Sequence, residues 1–162
     1  MQDGLHILLA SQQLTLYRGG KAVSGWPISS AAAGAGEREG SGCTPRGWHR
    51  VRVAIGDGLP INSVLLGRRA TGEVYSEALA RQYPERDWIL TRILWLTGAE
   101  PGFNRGGRVD TLRRFIYIHG TPDSEPMGEP RSHGCIRMHN AALIALFKHC
   151  HPGMPVLIEE SE

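Results

Sequence analysis

Apolar and polar positions alternate through much of the first sixty residues, and the chain reads there as a succession of short strands. An apolar run at residues 5–10 is followed by the polar Ser11-Gln12-Gln13, and alternation resumes through Leu14, Thr15, Leu16 and Tyr17 until Gly19-Gly20 turns the chain. That pattern predicts a hairpin. A third strand is expected from residue 21 to about 28, then a Gly-rich loop of small residues over 31–42 with little to bury. Residues 48–55 predict another strand, with Val51, Val53 and Ile55 on one face and Arg50, Arg52 and Ala54 on the other. Further along, 61–66 reads as a strand, 76–82 as a short helix, 88–96 as an apolar segment, 98–107 as a loop, and 114–118, β-branched and aromatic, as a strand.

The period changes after His139. Leu143, Leu146, Phe147 and Cys150 fall on one helical face, Asn140 is the expected N-cap, and Pro152-Gly153 stops the helix before a last short strand at 156–158. No repeat or linker interrupts the pattern, so residues 1–162 read as a single domain. The expected fold is mainly β with a minor α component: an antiparallel β-sandwich or barrel carrying one or two helices. Composition supports this, because 21 Gly and 10 Pro favour a turn-rich, strand-rich chain over a helical bundle.

A net charge of +2, with scattered basic residues, gives no footprint for nucleic acid. Cys43, Cys135 and Cys150 are odd in number and irregular in spacing, which argues against a disulfide framework and matches no zinc motif. The N-terminal residues lack the positive start and the long apolar run of an export signal, and the 89–96 stretch is interrupted by Thr91 and Arg92, far below the roughly 18 residues that span a bilayer. The expectation is therefore a cytoplasmic protein without a membrane span, with a periplasmic location as the alternative should a leader precede the sequence given.

The informative stretch runs Phe115-Ile116-Tyr117-Ile118-His119-Gly120-Thr121 and, after a loop, Ser132-His133-Gly134-Cys135-Ile136-Arg137. In a strand His119 shares a side with Phe115 and Tyr117, so its ring is delivered at the strand end. A thiol attacks well only once a base or a favourable field makes it a thiolate, and His119 is the candidate base for Cys135. Gly134 leaves room for substrate at the backbone, where the amides of Cys135 and its neighbours are placed to hold an oxyanion.

At these residues the chain resembles the YkuD-like L,D-transpeptidases, whose hallmark is a His-Gly segment followed by S-H-G-C-[IV]-R. The matching residues here are H-G-T at 119–121 and S-H-G-C-I-R at 132–137, and Thr44-Pro45-Arg46-Gly47-Trp48-His49-Arg50-Val51 is similar to the family's T-P-x-G-x-[FWH]-x-[VI] segment. The resemblance implies a β-rich catalytic domain acting on the bond between an L-configured centre and D-Ala, which in peptidoglycan tetrapeptide stems joins diaminopimelate to the terminal D-Ala. By position, Cys135 is then the nucleophile, His119 the base, and the Gly120 carbonyl the group orienting the imidazole, although other members carry Ser at that position. His133 is expected to place substrate or support the oxyanion site, and Arg137 to bind a substrate carboxylate or brace the loop. Ser132 and Tyr117 join the substrate-binding set.

No cofactor is implied. The partners are peptidoglycan stem peptides or muropeptides, with carbapenem-type β-lactams as inhibitors. Water as acyl acceptor makes the enzyme an L,D-carboxypeptidase in peptidoglycan recycling, which is the favoured expectation. A stem amine makes it an exported crosslinking transpeptidase, a free D-amino acid gives exchange, and the rival outside the enzyme class is a silent muropeptide-binding module.

The remaining candidates read more plainly. Cys43 and Cys150 are expected to be small buried hydrophobes. The histidines show no zincin spacing, so no metal is expected, and the Gly-rich 34–42 segment lacks the Lys and the following helix of a phosphate loop. The loop 101–108 either brings Arg105 or Arg108 to an anionic substrate or is an ordinary surface loop.

Overall fold

Strand formation follows the alternation closely where one face is buried. The computed structural model describes residues 1–161. Among them are ten strands: β1 (Gly4–Leu8), β2 (Gln13–Arg18), β3 (Lys21–Pro27), β4 (Gly47–Ile55), β5 (Ser63–Leu66), β6 (Arg69–Val74), β7 (Ile89–Gly98), β8 (Tyr117–Gly120), β9 (Ile136–Met138) and β10 (Pro155–Glu159). Two α-helices join them, α1 (Glu77–Gln82) between β6 and β7 and α2 (Asn140–Phe147) between β9 and β10.

All ten strands belong to one mixed sheet in the order β3-β2-β1-β10-β4-β7-β5-β6, with β8 on the other edge of β7 and β9 outside β8. Most pairs are antiparallel, as the hairpin pattern predicts, but β1 with β10 and β8 with β9 run parallel. β1 and β10 lie at opposite ends of the described chain, and β8 and β9 are consecutive strands joined by a long crossover, so neither pairing follows from a hairpin pattern. Ser29 and Arg137 exchange two backbone hydrogen bonds of 2.9 Å, tying β9 to the segment after β3, so that the sheet curls back toward its first edge.

Strand alternation sorts the two faces. Leu5, Ile7, Leu14, Leu16, Leu94, Leu96, Ile118, Ile136, Val156 and Ile158 form the main core together with Leu143 and Leu146 of α2. Each such side chain contributes about 1.5–3 kcal/mol on full burial. The neighbouring positions Ile93 and Tyr117 face the other way and pack with Leu65 of β5 against Cys135. The site therefore lies on the side of β7, β8 and β9 opposite the main core.

Several expectations shift. The strand expected at 114–118 begins only at Tyr117, because Phe115 takes a left-handed φ of +57° in the preceding turn. The tip of the β5–β6 hairpin is Gly67-Arg68, both with positive φ, as a primed two-residue turn requires. Strand β6 is almost wholly exposed, hence its lack of an apolar signature. Asn140 is not the N-cap. His139 holds that position without a side-chain cap bond, while Asn140 is fully buried in a polar network. Its Oδ1 accepts from Thr91 Oγ1 at 2.6 Å, and its Nδ2 donates to Thr121 O, Asn62 Oδ1 and Asp123 Oδ1. Thr91 sits in a bulge of β7 with a φ of +75°, a costly conformation for a β-branched residue, and its hydroxyl also accepts from Asn62 N.

Candidate active site

Parallel pairing of β8 and β9 sets His119 beside Arg137 and Ile118 beside Ile136, which puts Cys135 next to Tyr117. Registered neighbours share a face, so His119, Arg137, Tyr117 and Cys135 all project to the same side. The half-buried Cys135 thiol accepts a hydrogen bond from Tyr117 N at 3.3 Å and donates to Phe115 O at 3.3 Å. His119 is buried, and its Nδ1 lies 2.7 Å from Gly120 O. A carbonyl only accepts, so Nδ1 carries the proton and Nε2 keeps the basic lone pair. No hydrogen bond links His119 to Cys135 among the described residues, and the thiol proton rests on Phe115 O instead.

Gly120 owes its identity to packing: a Cβ there would overlap Asn140 Oδ1 and stand 2.5 Å from Leu90 O. The Thr91–Asn140 network thus presses on the strand end that aims the imidazole. The turn before Cys135 is braced on two sides. Ser132 Oγ donates to Cys135 O and accepts from Gly134 N at 3.2 Å, while Thr44 Oγ1 donates to Gly134 O at 2.9 Å and accepts from Ala31 N at 3.0 Å. Gly134 takes a φ of +135°, which a side chain would strain. The amides of His133 and Cys135 donate to no protein group among the described residues and remain available to an oxyanion.

The expected substrate-binding residues separate into groups. Ser132 is buried, and its hydroxyl holds the turn by donating to Cys135 O and accepting from Gly134 N. Tyr117 is also buried, its hydroxyl receiving Arg68 Nη1 at 3.1 Å, and it forms the wall behind the thiol. Arg68 in turn lies over the rings of Trp95 and Phe115. Arg137, 8% exposed, places Nη2 at 3.3 Å from Asp87 Oδ1, and the exposed His133 places Nδ1 at 3.7 Å from Asp87 Oδ2. Arg105 and Arg108 are exposed, and their side chains make no hydrogen bond or ion pair among the described residues; the loop is held by the Arg108 carbonyl, which accepts from Glu39 N at 2.7 Å, and by Asn104 Nδ2, which donates to Arg46 O and Trp48 O. A groove of about 330 Å³ beside His133 is lined by Glu39, Gly40, Gly42, Arg114 and Ile116. A larger cavity of about 380 Å³ at the end of α2 shares no residue with the site, and Cys150 packs against the main core there.

Burial dominates the electrostatics. It pushes the Cys135 thiol up to about 11, with Asp87 adding to the rise, against the lowering influence of the Tyr117 amide, Arg137 and Arg114. The same burial holds His119 below the ordinary imidazole value, against the Gly120 carbonyl and Asp87, with Arg137 lowering it further. Both shifts favour the neutral thiol and the neutral imidazole over a thiolate–imidazolium pair. Thr44, Asp87 and Arg114 carry roles that sequence reasoning did not assign. Of these only Thr44 lay in a recognised motif. Arg114 pins the Gly-rich loop by donating to Gly36 O and Cys43 O. Among the described residues no group of three or more His, Cys, Asp or Glu is placed to hold a metal ion.

The YkuD family model, described as the L,D-transpeptidase catalytic domain, matches residues 2–158. YqjB of Bacillus subtilis (strain 168), which bears the L,D-transpeptidase name provisionally, is 42% identical over 59 residues, 36% of this chain and 32% of that protein. The avibactam carbamoyl enzyme of Ldtfm superposes with a TM-score of 0.60 at 17% identity, covering 100% of this chain and 50% of its own. L,D-transpeptidase 3 from Mycobacterium tuberculosis, solved with a faropenem-derived adduct, gives 0.58 at 15% identity, covering 96% and 59%. The chain spans about half the length of these solved relatives, and at such identities the likeness is one of fold.

Proposed function

Since the chain belongs to the L,D-transpeptidase catalytic domain family, we propose that it performs cysteine-dependent acyl transfer at the diaminopimelate–D-Ala bond of peptidoglycan tetrapeptide stems, with water as acceptor. The observation that carries this reading is the shared sheet face of Cys135 and His119, with imidazole Nδ1 committed to Gly120 O and Nε2 left free.

In this mechanism the substrate displaces the thiol proton from Phe115 O toward Nε2 of His119 as Sγ attacks the scissile carbonyl carbon. The tetrahedral oxygen takes up its negative charge near the free amides of Cys135 and His133, donors worth about 3–4 kcal/mol when well aimed. The imidazolium then passes its proton to the leaving amine, the carbon–nitrogen bond breaks, and D-Ala departs from a thioester on Cys135. Water, deprotonated by the regenerated imidazole, resolves the thioester and restores the thiol. Arg137 and Arg114 lower the cost of charge on sulfur, and the Tyr117 amide donates to it throughout.

The test is incubation with a disaccharide tetrapeptide followed by mass spectrometry, with Cys135→Ala and His119→Ala alongside. Loss of one alanine, abolished in Cys135→Ala, is the expected result. Joined stems would move the acceptor to a stem amine, and an unreactive wild type would leave a binding module. The compartment enters the same proposal: the enzyme trims stem peptides recovered for reuse in the cytoplasm, and cell fractionation checks it.

A further inference from the structure

Arg137 is a buried guanidinium of the site whose carboxylate partner, Asp87, is exposed. It stands two residues beyond Cys135 on the same face, about 7 Å along the strand. A scissile carbonyl carbon and the carboxylate of the amino acid leaving from it are separated by about 4 Å, so a substrate held at Cys135 carries that carboxylate on the face that Arg137 shares. In the unliganded site that position is taken by Asp87, which offers a single oxygen at 3.3 Å, longer than a well-formed charge-assisted bond and short of the two-pronged Arg–carboxylate geometry. The Asp87 side chain is 53% exposed while that of Arg137 is 10% exposed, and no other carboxylate reaches Arg137 among the described residues. Arg114, by contrast, is spent on the carbonyls of Gly36 and Cys43.

The loop presenting Asp87 is fixed. Arg86 lies between the rings of Tyr83 and Trp88, at 4.0 and 4.9 Å, and pairs with Glu73 at 3.0 Å. The Asp87 side chain projects into solvent from this braced loop, and the exposed His133 imidazole lies beside its second oxygen.

We infer that Asp87 is a specificity-determining residue: its carboxylate occupies the seat on Arg137 that a substrate carboxylate takes, and productive binding exchanges one carboxylate for the other. The inference rests on the reading of the site as acting on a peptide with a free C-terminal carboxylate. An uncharged C-terminus cannot replace the ion pair and leaves Asp87 seated, so the exchange weighs on the carboxylate peptide alone and Asp87 sets how far its affinity exceeds that of the amide. It also keeps the buried guanidinium paired when no substrate is present.

The experiment compares a tetrapeptide bearing a free C-terminal carboxylate with its C-terminal amide, on wild type and on Asp87→Asn and Asp87→Ala. Freeing the seat is expected to lower KM for the carboxylate about threefold to tenfold, the scale of a partly exposed ion pair, and to change KM for the amide less than twofold. Calorimetry with Cys135→Ala and with Cys135→Ala/Asp87→Asn reads the same ratio as a Kd without turnover. A carboxylate KM or Kd that stays the same or rises overturns the inference, as do parallel shifts for carboxylate and amide. Were wild type to turn over neither peptide, the enzymatic reading would fail while the calorimetric ratio still decided this one, and absence of binding in both backgrounds would overturn it too.

Discussion

The protonation state of Cys135 separates two ways of running this site, and alkylation by iodoacetamide measures it. Burial places the thiol near 11 against a starting value of 9.0. At pH 7 the thiolate fraction is then about one in ten thousand, roughly a hundredfold below that of an unperturbed thiol. A more basic thiolate is more nucleophilic, with a Brønsted slope of about 0.4–0.5, which recovers nearly tenfold and leaves alkylation roughly tenfold slower than that of a free cysteine. The rate should climb about tenfold per pH unit from 7 to 10, followed by intact mass and by the peptide containing Cys135, with circular dichroism confirming the fold at each pH. His119→Ala should change the pH 7 rate by less than about threefold, because no resting ion pair is lost. A rate that is flat between pH 6 and 8, or that collapses in His119→Ala, would refute the neutral-pair argument and show a thiolate–imidazolium pair at rest.

Other consequences follow from the same contacts. Gly120→Ala should cost about 1–3 kcal/mol through overpacking against Asn140 and Leu90, lowering the melting midpoint by several degrees and the turnover number along with it; an unchanged melt would remove the packing explanation. Thr44→Val leaves the Gly134 carbonyl and the Ala31 amide unpaired in a buried setting, at about 1–3 kcal/mol, and steady-state assays should show kcat falling more than KM rises. His49 is fully buried and lowered from 6.5 to about 4, chiefly by burial and against its contact with Gly47 O. The unfolded chain binds the extra proton between those values, so stability is complete above about pH 6.5 and is lost as pH falls toward 4, by up to about 3 kcal/mol. Urea titrations at pH 7.5 and 4.5 should show that loss in wild type and a smaller one in His49→Gln. A carbapenem should add its mass once, at Cys135; labelling of Cys43 or Cys150 instead would count against the site.

Local pattern was enough to reveal the hairpin of β1 and β2, the third strand, β4, α1 behind Ser76, and the S-H-G-C-I-R stretch, because each depends on neighbours a few residues apart. Arg137 shows where legibility stopped. Its side chain was open between binding a carboxylate and bracing the loop, and its ion-pair partner, Asp87, lies 50 residues away along the chain. Thr44 and Gly134 are 90 residues apart, yet their hydrogen bond holds the turn before Cys135. Asn140 looked like a cap because Asn at a helix start usually is one, but a buried amide must satisfy all its hydrogen-bonding groups, and Thr91, Asn62, Thr121 and Asp123 were there to do it. The sequence by itself determined the strand-rich class and the motif residues that mark the family, since side-chain type and short-range periodicity are written along the chain. Only the tertiary structure decided which strands run parallel, which charge meets which, and how sulfur and imidazole are buried, because pairing partners and burial are set by closure of the whole sheet.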